Sequence, residues 1–196
     1  MLCEICSSPC FPGARGRKPR FCSGRCRVAA HRRKTIPAEL MQLPRWIRHQ
    51  NKRPMTVNGY WASSTDVATW SDYPTAKTSK HGDGLGFVLN GDGIICIDLD
   101  HCITNVNGKN FLSTGAQVIV DSMADAYVEI SPSGTGLHIW GRADLDKGHR
   151  FTFMNQAVEI YPNGRFLTMT GNVYRNGGLP ELNLNHLLAK TATVNA

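Results

Sequence analysis

Gly93-Ile94-Ile95-Cys96-Ile97-Asp98-Leu99-Asp100 is the stretch on which the reading of the whole chain turns. An isoleucine-rich run opened by the turn Asn90-Gly91-Asp92-Gly93 predicts a buried strand. Side chains alternate along a strand, so Asp98 and Asp100 project from one side at its C-terminal end. Two carboxylates held that close repel, and burying either without a partner is costly. A divalent cation relieves both problems. A small set of oxygen ligands suits Mg²⁺ or Mn²⁺, which complete their shells with water and substrate phosphate. The competing reading is a strand that ends in a polar loop, and the segments downstream have to separate the two.

Working outward, 196 residues with 41% hydrophobic side chains suffice for one ordinary domain and a small module. The formal charge of +7 is concentrated in residues 1–34, which hold nine Lys/Arg against the single acid Glu4, leaving the remainder close to neutral. A polyanion is the expected partner of that basic segment, a solvated tail being the alternative. No stretch has the length and apolarity of a membrane span, and Met1-Leu2-Cys3-Glu4 lacks the apolar region of a secretory signal. The expectation is a cytoplasmic protein. There, an odd count of seven cysteines argues against a disulfide framework and for metal ligation.

Cys3-x2-Cys6 and Cys22-x3-Cys26, separated by an Arg/Lys/Gly/Pro loop, have the spacing of a four-thiolate zinc site. The first pair would sit on a tight turn and the second would open a basic helix. A module this short cannot bury enough apolar surface to fold unaided, so structural Zn²⁺ would supply the stability. Cys10 and His31 are candidate substitutes that read better as bystanders. The segment resembles the small treble-clef-like fingers that precede many DNA-handling domains.

Beyond it the chain reads as α+β on a mainly antiparallel sheet with hairpins. A short helix is predicted at Pro37–Leu43, strands at Trp46–Arg48 and Met55–Val57, and a hairpin turn at Asn58-Gly59 before Tyr60-Trp61-Ala62. Ser63–Asp66 offers N-cap chemistry for a helix through Trp70, and Trp46, Trp61 and Trp70 are expected in the core. Leu85–Leu89 is expected to pair with the Asp98 strand. The turn Asn105–Gly108 should lead to a helix over Phe111–Met123, followed by strands at Tyr127–Ile130 and Leu137–Trp140. Val158–Tyr161 and Arg165–Gly171 are expected to form a hairpin, with a helix at Leu179–Leu188.

Three features converge on the aspartate pair. Ser131-Pro132-Ser133-Gly134-Thr135-Gly136 is a small-residue loop whose glycines would let backbone N–H groups approach an anion, with hydroxyls as further donors. His138, on the outgoing strand, suits a triphosphate, although a structural histidine is the simpler reading of that residue alone. Glu159 sits in the apolar Val158-Glu159-Ile160-Tyr161, where an acid has no packing reason to be. A third carboxylate from a neighbouring strand would complete a site for two divalent ions. Arg165 could clamp phosphate bidentately, or simply be a hairpin-edge charge.

The ordered set Gly84–Leu89, Ile97-Asp98-Leu99-Asp100-His101, Glu129 through His138, Glu159-Ile160-Tyr161 and Gly164–Gly171 resembles the bifunctional DNA primase/polymerase (prim-pol) family of phages and mobile elements, within the archaeo-eukaryotic primase superfamily. Ala62–Asp66 and Trp70 share the likeness, which covers roughly residues 45–175. The resemblance implies a catalytic sheet related to the RNA-recognition (RRM) fold over residues 35–190, behind the zinc-finger-like module of 1–34 and ahead of a frayed tail at 191–196. It also implies two-metal nucleotidyl transfer from nucleoside triphosphates on a single-stranded DNA template. Asp98, Asp100 and Glu159 would hold Mg²⁺ or Mn²⁺. Ser131, Ser133, Gly134, Gly136, His138 and Arg165 would bind the nucleotide. Many relatives continue into a helicase domain, so a separate helicase is the expected partner, in host cytoplasm if the chain is phage-encoded. A metal-dependent nuclease and a non-catalytic DNA-binding replication adaptor are the rival readings.

Overall fold

A computed structural model describes residues 2, 3, 6, 8–11, 19–32 and 36–189, with only the backbone described at 30–32. The chain divides into two compact units, Met1–Thr35 and Ile36–Ala196. The first brings its cysteine pairs together around helix α1 (Gly24–Arg32), whose first turn is anchored by the Ser23 hydroxyl accepting from the Cys26 N–H at 3.2 Å. The His31 side chain and the tail expected at 191–196 lie outside the described residues.

The second unit runs α2 (Ala38–Gln42), β1 (Trp46–Gln50), β2 (Arg53–Met55), a single 3₁₀ turn (Val67–Thr69), α3 (Tyr73–Thr78), β3 (Gly84–Asn90), β4 (Ile94–Leu99), β5 (Ile103–Val106), β6 (Lys109–Leu112), α4 (Thr114–Ser122), β7 (Tyr127–Ile130), β8 (Leu137–Arg142), β9 (His149–Phe153), β10 (Gln156–Tyr161), β11 (Asn163–Met169), β12 (Val173–Arg175) and α5 (Asn185–Leu188). The strands form a four-stranded sheet, β11-β3-β1-β2, a six-stranded sheet, β12-β7-β8-β4-β10-β9, and the β5-β6 hairpin. Each strand-to-strand ladder is antiparallel.

β4 explains its own composition. Ile95, Ile97 and Leu99 pack with Ile119 and Val120 of α4, with Ile139 and Val158 of the flanking β8 and β10, and with Val128 of β7. Ile94 and Cys96 face the other way, into a second core with Trp46, Phe87, Leu89, Tyr127 and Trp140. A strand covered on both faces must be apolar at successive positions, which erases the alternation seen in half-exposed strands. Each fully buried isoleucine contributes about 1.5–3 kcal/mol relative to exposure. Asp98 continues the Ile94–Cys96 side, where a cleft opens.

Several expected pairings are corrected. Leu85–Leu89 does not pair with the Asp98 strand. It lies between β1 and β11, because Gly91 (φ 85°) and Gly93 (φ 89°) carry the chain from one sheet to the other. Between those glycines, Asp92 is fixed by the buried Arg45 at 2.8 Å. Val158–Tyr161 and Arg165–Gly171 likewise belong to different sheets. The hairpin partner of the Glu159 strand is β9, joined through the two-residue turn Met154-Asn155, in which both residues have positive φ. Phe111 and Leu112 belong to β6 instead of a helix. They pair with β5 across Asn107-Gly108, and α4 begins only where the Ser113 hydroxyl accepts from the Ala116 N–H. Asp66 caps one 3₁₀ turn, and α3 starts afresh from Asp72. Of Leu179–Leu188 only α5 is helical, and of Tyr60–Ala62 only a Met55–Trp61 bridge is formed. Trp46 is core, Trp70 is half-buried, and Trp61 is exposed.

Candidate functional site

Antiparallel register assembles the site. Glu159 on β10 lies opposite Asp98 on β4, Asp98 lies opposite His138 on β8, and His138 lies opposite Glu129 on β7. Arg150 on β9 extends the row beyond Glu159. Opposed residues share a face, so five strands place five ionisable side chains in one line. Two residues along the same face, Cys96, Trp140 and Tyr127 are fully buried. The row therefore marks the place where apolar contact between the sheets gives way to a cleft of about 590 Å³.

That cleft is lined by Asp98, Asp100, Glu159, His138, Ser131, Ser133 and Arg165, so seven of the nine nucleotide- and cation-binding residues expected in this unit share one cavity. Gly134 and Gly136 are not in its wall. They shape the loop behind it. Gly134, at φ 77°, makes the turn in which its N–H donates to Ser131 O at 2.9 Å. A Cβ on Gly136 would stand 2.7 Å from Ser131 Oγ and 2.8 Å from Leu99 O, so only glycine lets the loop close against the end of β4. The hydroxyls of Ser131, Ser133 and Thr135 follow one another at 3.0 and 3.1 Å.

Asp98 is mostly buried, and its Oδ1 has no hydrogen-bond partner. The nearest basic group is His138, whose Nε2 lies 3.8 Å away, beyond hydrogen-bond range. Burial raises Asp98 above the usual carboxylate range; His138 opposes the rise, and the charges of Asp100 and Glu159 add to it. An orphaned acid oxygen in a cleft that Asp100 and Glu159 also line is chemistry that a cation with oxygen preference would relieve, but among the described residues only the four cysteines of the first unit bring three or more ligand atoms within 4.8 Å of one another. Glu159 is engaged by Arg150, whose Nε lies 2.7 Å from Oε1, and by the Tyr161 hydroxyl. Burial and that bond push the Tyr161 phenol up. Arg165 lies over the Tyr161 ring at 4.5 Å, so the guanidinium is held at the cleft from β11 and not from a hairpin partner of β10.

Sequence reasoning gave no role to Glu129, Lys52 or Tyr161. Glu129 is fully buried. It accepts from the N–H groups of Thr170 (3.1 and 3.2 Å) and Gly171 (2.8 Å) and from the Tyr127 hydroxyl (3.2 Å). Its Oε1 is also 3.2 Å from His138 Nδ1. A carboxylate only accepts, so Nδ1 carries a proton and Nε2 is the atom turned toward Asp98 and the cleft. The signal was present: an acid inside Tyr127-Val128-Glu129-Ile130 has no more packing reason than Glu159 has in its strand. Lys52 reaches the cleft from the tight Asn51-Lys52 turn between β1 and β2.

In the first unit, the Sγ atoms of Cys3, Cys6, Cys22 and Cys26 all lie within 4.8 Å of one another. Cys6–Cys22, Cys22–Cys26 and Cys6–Cys26 are separated by 3.4, 3.5 and 3.6 Å. Tetrahedral Zn–S bonds of about 2.3 Å require sulfur separations of about 3.8 Å, close to those seen. These four cysteines could hold a metal ion. Cys10 is buried with its Sγ 4.0 Å from Ser8 O, outside the cluster.

No family model matches the chain. It is, however, 35% identical over 153 residues to a DNA primase-polymerase of Nitratiruptor phage NrS-1. Over most of its own length this chain is similar to a phage primase-polymerase. The match takes in 71% of the chain and 21% of the relative, so the chain spans about a fifth of that protein's length. Among the described residues, no helix is long and apolar enough to cross a membrane.

Proposed function

We propose that the chain is a DNA primase/polymerase that transfers nucleotides from nucleoside triphosphates onto a growing strand along a single-stranded DNA template. The reading rests on one observation above the others: Glu159, Asp98, His138 and Glu129 stand in register across four strands, beside a hydroxyl-rich loop and opposite Arg165. The similarity to a phage primase-polymerase supports it. Asp98, Asp100 and Glu159 would hold Mg²⁺ or Mn²⁺, which when bound supply acidity at the attacking hydroxyl and neutralise charge at the leaving pyrophosphate. Ser131 and Ser133 offer hydroxyl donors to the triphosphate. Arg165 and Lys52 bring fixed positive charge from the opposite wall. His138, steadied at Nδ1 by Glu129, turns Nε2 toward the triphosphate site. Most of the rate enhancement assigned to the protein is thus placement and electrostatics. The RRM-related reading of the fold belongs to this proposal, supported by an antiparallel sheet with its acids on one face and α4 on the other. So does structural Zn²⁺ on the four cysteines, as does the cooperation of a separate helicase.

The test is a reaction with single-stranded DNA, all nucleoside triphosphates and Mg²⁺ or Mn²⁺, run beside the Asp98→Ala/Asp100→Ala double variant. Labelled oligonucleotide product is expected from the wild type alone. Product from the double variant above an enzyme-free control, or none from the wild type even with an annealed primer, overturns the proposal. A nuclease has no need of the triphosphate, so saturable nucleotide binding separates that rival.

A further inference from the structure

Trp61 was expected in the core and is not there. It is 55% exposed and its neighbour Tyr60 is 75% exposed, side by side after the Gly59 turn. Arg53 lies over the Trp61 ring at 4.1 Å, fixing one face of the indole under a guanidinium. Backbone bonds tie the pair to β2: Thr56 N donates to Tyr60 O at 2.7 Å and Ala62 N to Pro54 O at 3.1 Å. The aromatics thus sit on an ordered element.

Position and charge say what the surface suits. Lys52 and Pro54, flanking Arg53, both line the cleft, and so does Ser64, three residues after Trp61. Among the described residues, neither Lys52 nor Arg53 lies within ion-pairing distance of a carboxylate. Exposed aromatic faces with unneutralised cations beside them are how proteins hold unpaired bases and the phosphates between them. A base in a duplex has its faces stacked already and cannot use such a surface.

We propose that Tyr60 and Trp61, with Arg53 and Lys52, form a stacking platform for unpaired bases of single-stranded DNA leading into the cleft. The proposal rests on the polymerase reading, which makes a template the natural occupant. Bases stack on the open aromatic surfaces, and Lys52 and Arg53 meet the backbone.

The test uses the full chain without nucleotides or divalent metal, so its outcome is independent of product formation. Residues 1–34 contain no tryptophan, and Trp46 and Trp140 are fully buried. Trp70 is half-buried, so the part of the oligo-dT quench that is lost between wild type and Trp61→Phe is the part that reports on Trp61. Quenching is expected in the wild type and should diminish in Trp61→Phe, while anisotropy of a labelled oligonucleotide shows Trp61→Phe binding within about threefold of wild type. Trp61→Ala should bind about 5–150-fold more weakly, the range for one lost base stack. The platform is overturned by an absent quench, by a quench that Trp61→Phe leaves undiminished, by Trp61→Ala binding within twofold of wild type, or by duplex DNA competing as well as single strand. A protein-docking role would give that null pattern. If the Asp98/Asp100 product test fails but the quench behaves as expected, the platform stands and the polymerase reading falls; the converse pattern removes only the platform.

Discussion

Replacing Glu129 by Gln probes the buried end of the charged row while changing almost no volume. The wild-type carboxylate receives Thr170 N–H, Gly171 N–H, Tyr127 O–H and His138 Nδ1–H, each bond assisted by its charge. A glutamine amide has one oxygen for these donors, and its NH₂ must point at another N–H or O–H. A buried donor left unsatisfied costs about 1–3 kcal/mol, and the remaining bonds fall from charge-assisted to ordinary strength. A net loss of about 2–4 kcal/mol follows, which for a unit of this size lowers Tm by roughly 4–16 °C. Stability alone does not test the positioning role, so nucleotide incorporation is measured well below the variant's own melting range. There, KM for the nucleoside triphosphate is expected to rise and kcat to fall, because His138 loses the partner that fixes Nδ1 and aims Nε2. A variant that melts within a degree of wild type and turns over within twofold of it would refute both halves of the argument. A lowered Tm with wild-type kinetics at low temperature would leave Glu129 as a structural residue and remove it from the site.

Two other perturbations follow from the geometry. Asp98 is raised chiefly by burial, so the folded state holds its proton more tightly than the unfolded chain; that contribution to stability is complete below the ordinary carboxylate pKa of about 3.9 and is lost as pH rises through the folded value. In metal-free protein Asp98→Asn is therefore expected to raise Tm at pH 7–8, with the advantage shrinking on acidification toward about pH 4; a lower Tm at pH 8 contradicts this. Added Mn²⁺ should stabilise the wild type and not the variant. In the first unit, hydrogen bonding to Cys6 and Cys26 pushes the Cys22 thiol up to about 12, a crowding that a bound cation reverses. Purified protein should contain about one zinc per chain by mass spectrometry, and Cys22→Ser should lose it and become sensitive to protease within residues 1–35. Full zinc content in the variant would exclude the four-thiolate site.

What could be read from the chain beforehand, and what could not, divides along a physical line. The strands of β4, β7, β8 and β10 were legible because burial on one or both faces leaves a local mark on composition. Sheet membership was not. Gly91 and Gly93 could have closed a hairpin between β3 and β4, and only tertiary packing turns them into a crossing between sheets. The Met154-Asn155 turn went unseen because its residues lack the Asn-Gly signature, whereas Asn107-Gly108 carries that signature and still opened onto an expected helix. Trp61 shows the opposite failure, since a large aromatic is buried by default and only Arg53 across the turn from it shows otherwise.

Asp98 and Glu159 could be singled out in spite of these errors, and Glu129, which was missed, carries the same mark. Asp98, Glu129 and Glu159 each sit in an apolar strand, a conflict between residue and environment that is visible without knowing which strands are neighbours. Once β10, β4, β8 and β7 pair in the observed register, the conflicts fall into one row and become partners in it. Glu129 is compensated by backbone donors and His138. Glu159 is compensated by Arg150 and Tyr161. Asp98, between them, keeps an oxygen with no hydrogen-bond partner. A buried carboxylate oxygen left bare costs stability that folding has no reason to spend, and the cation and triphosphate proposed for this cleft are what would recover it.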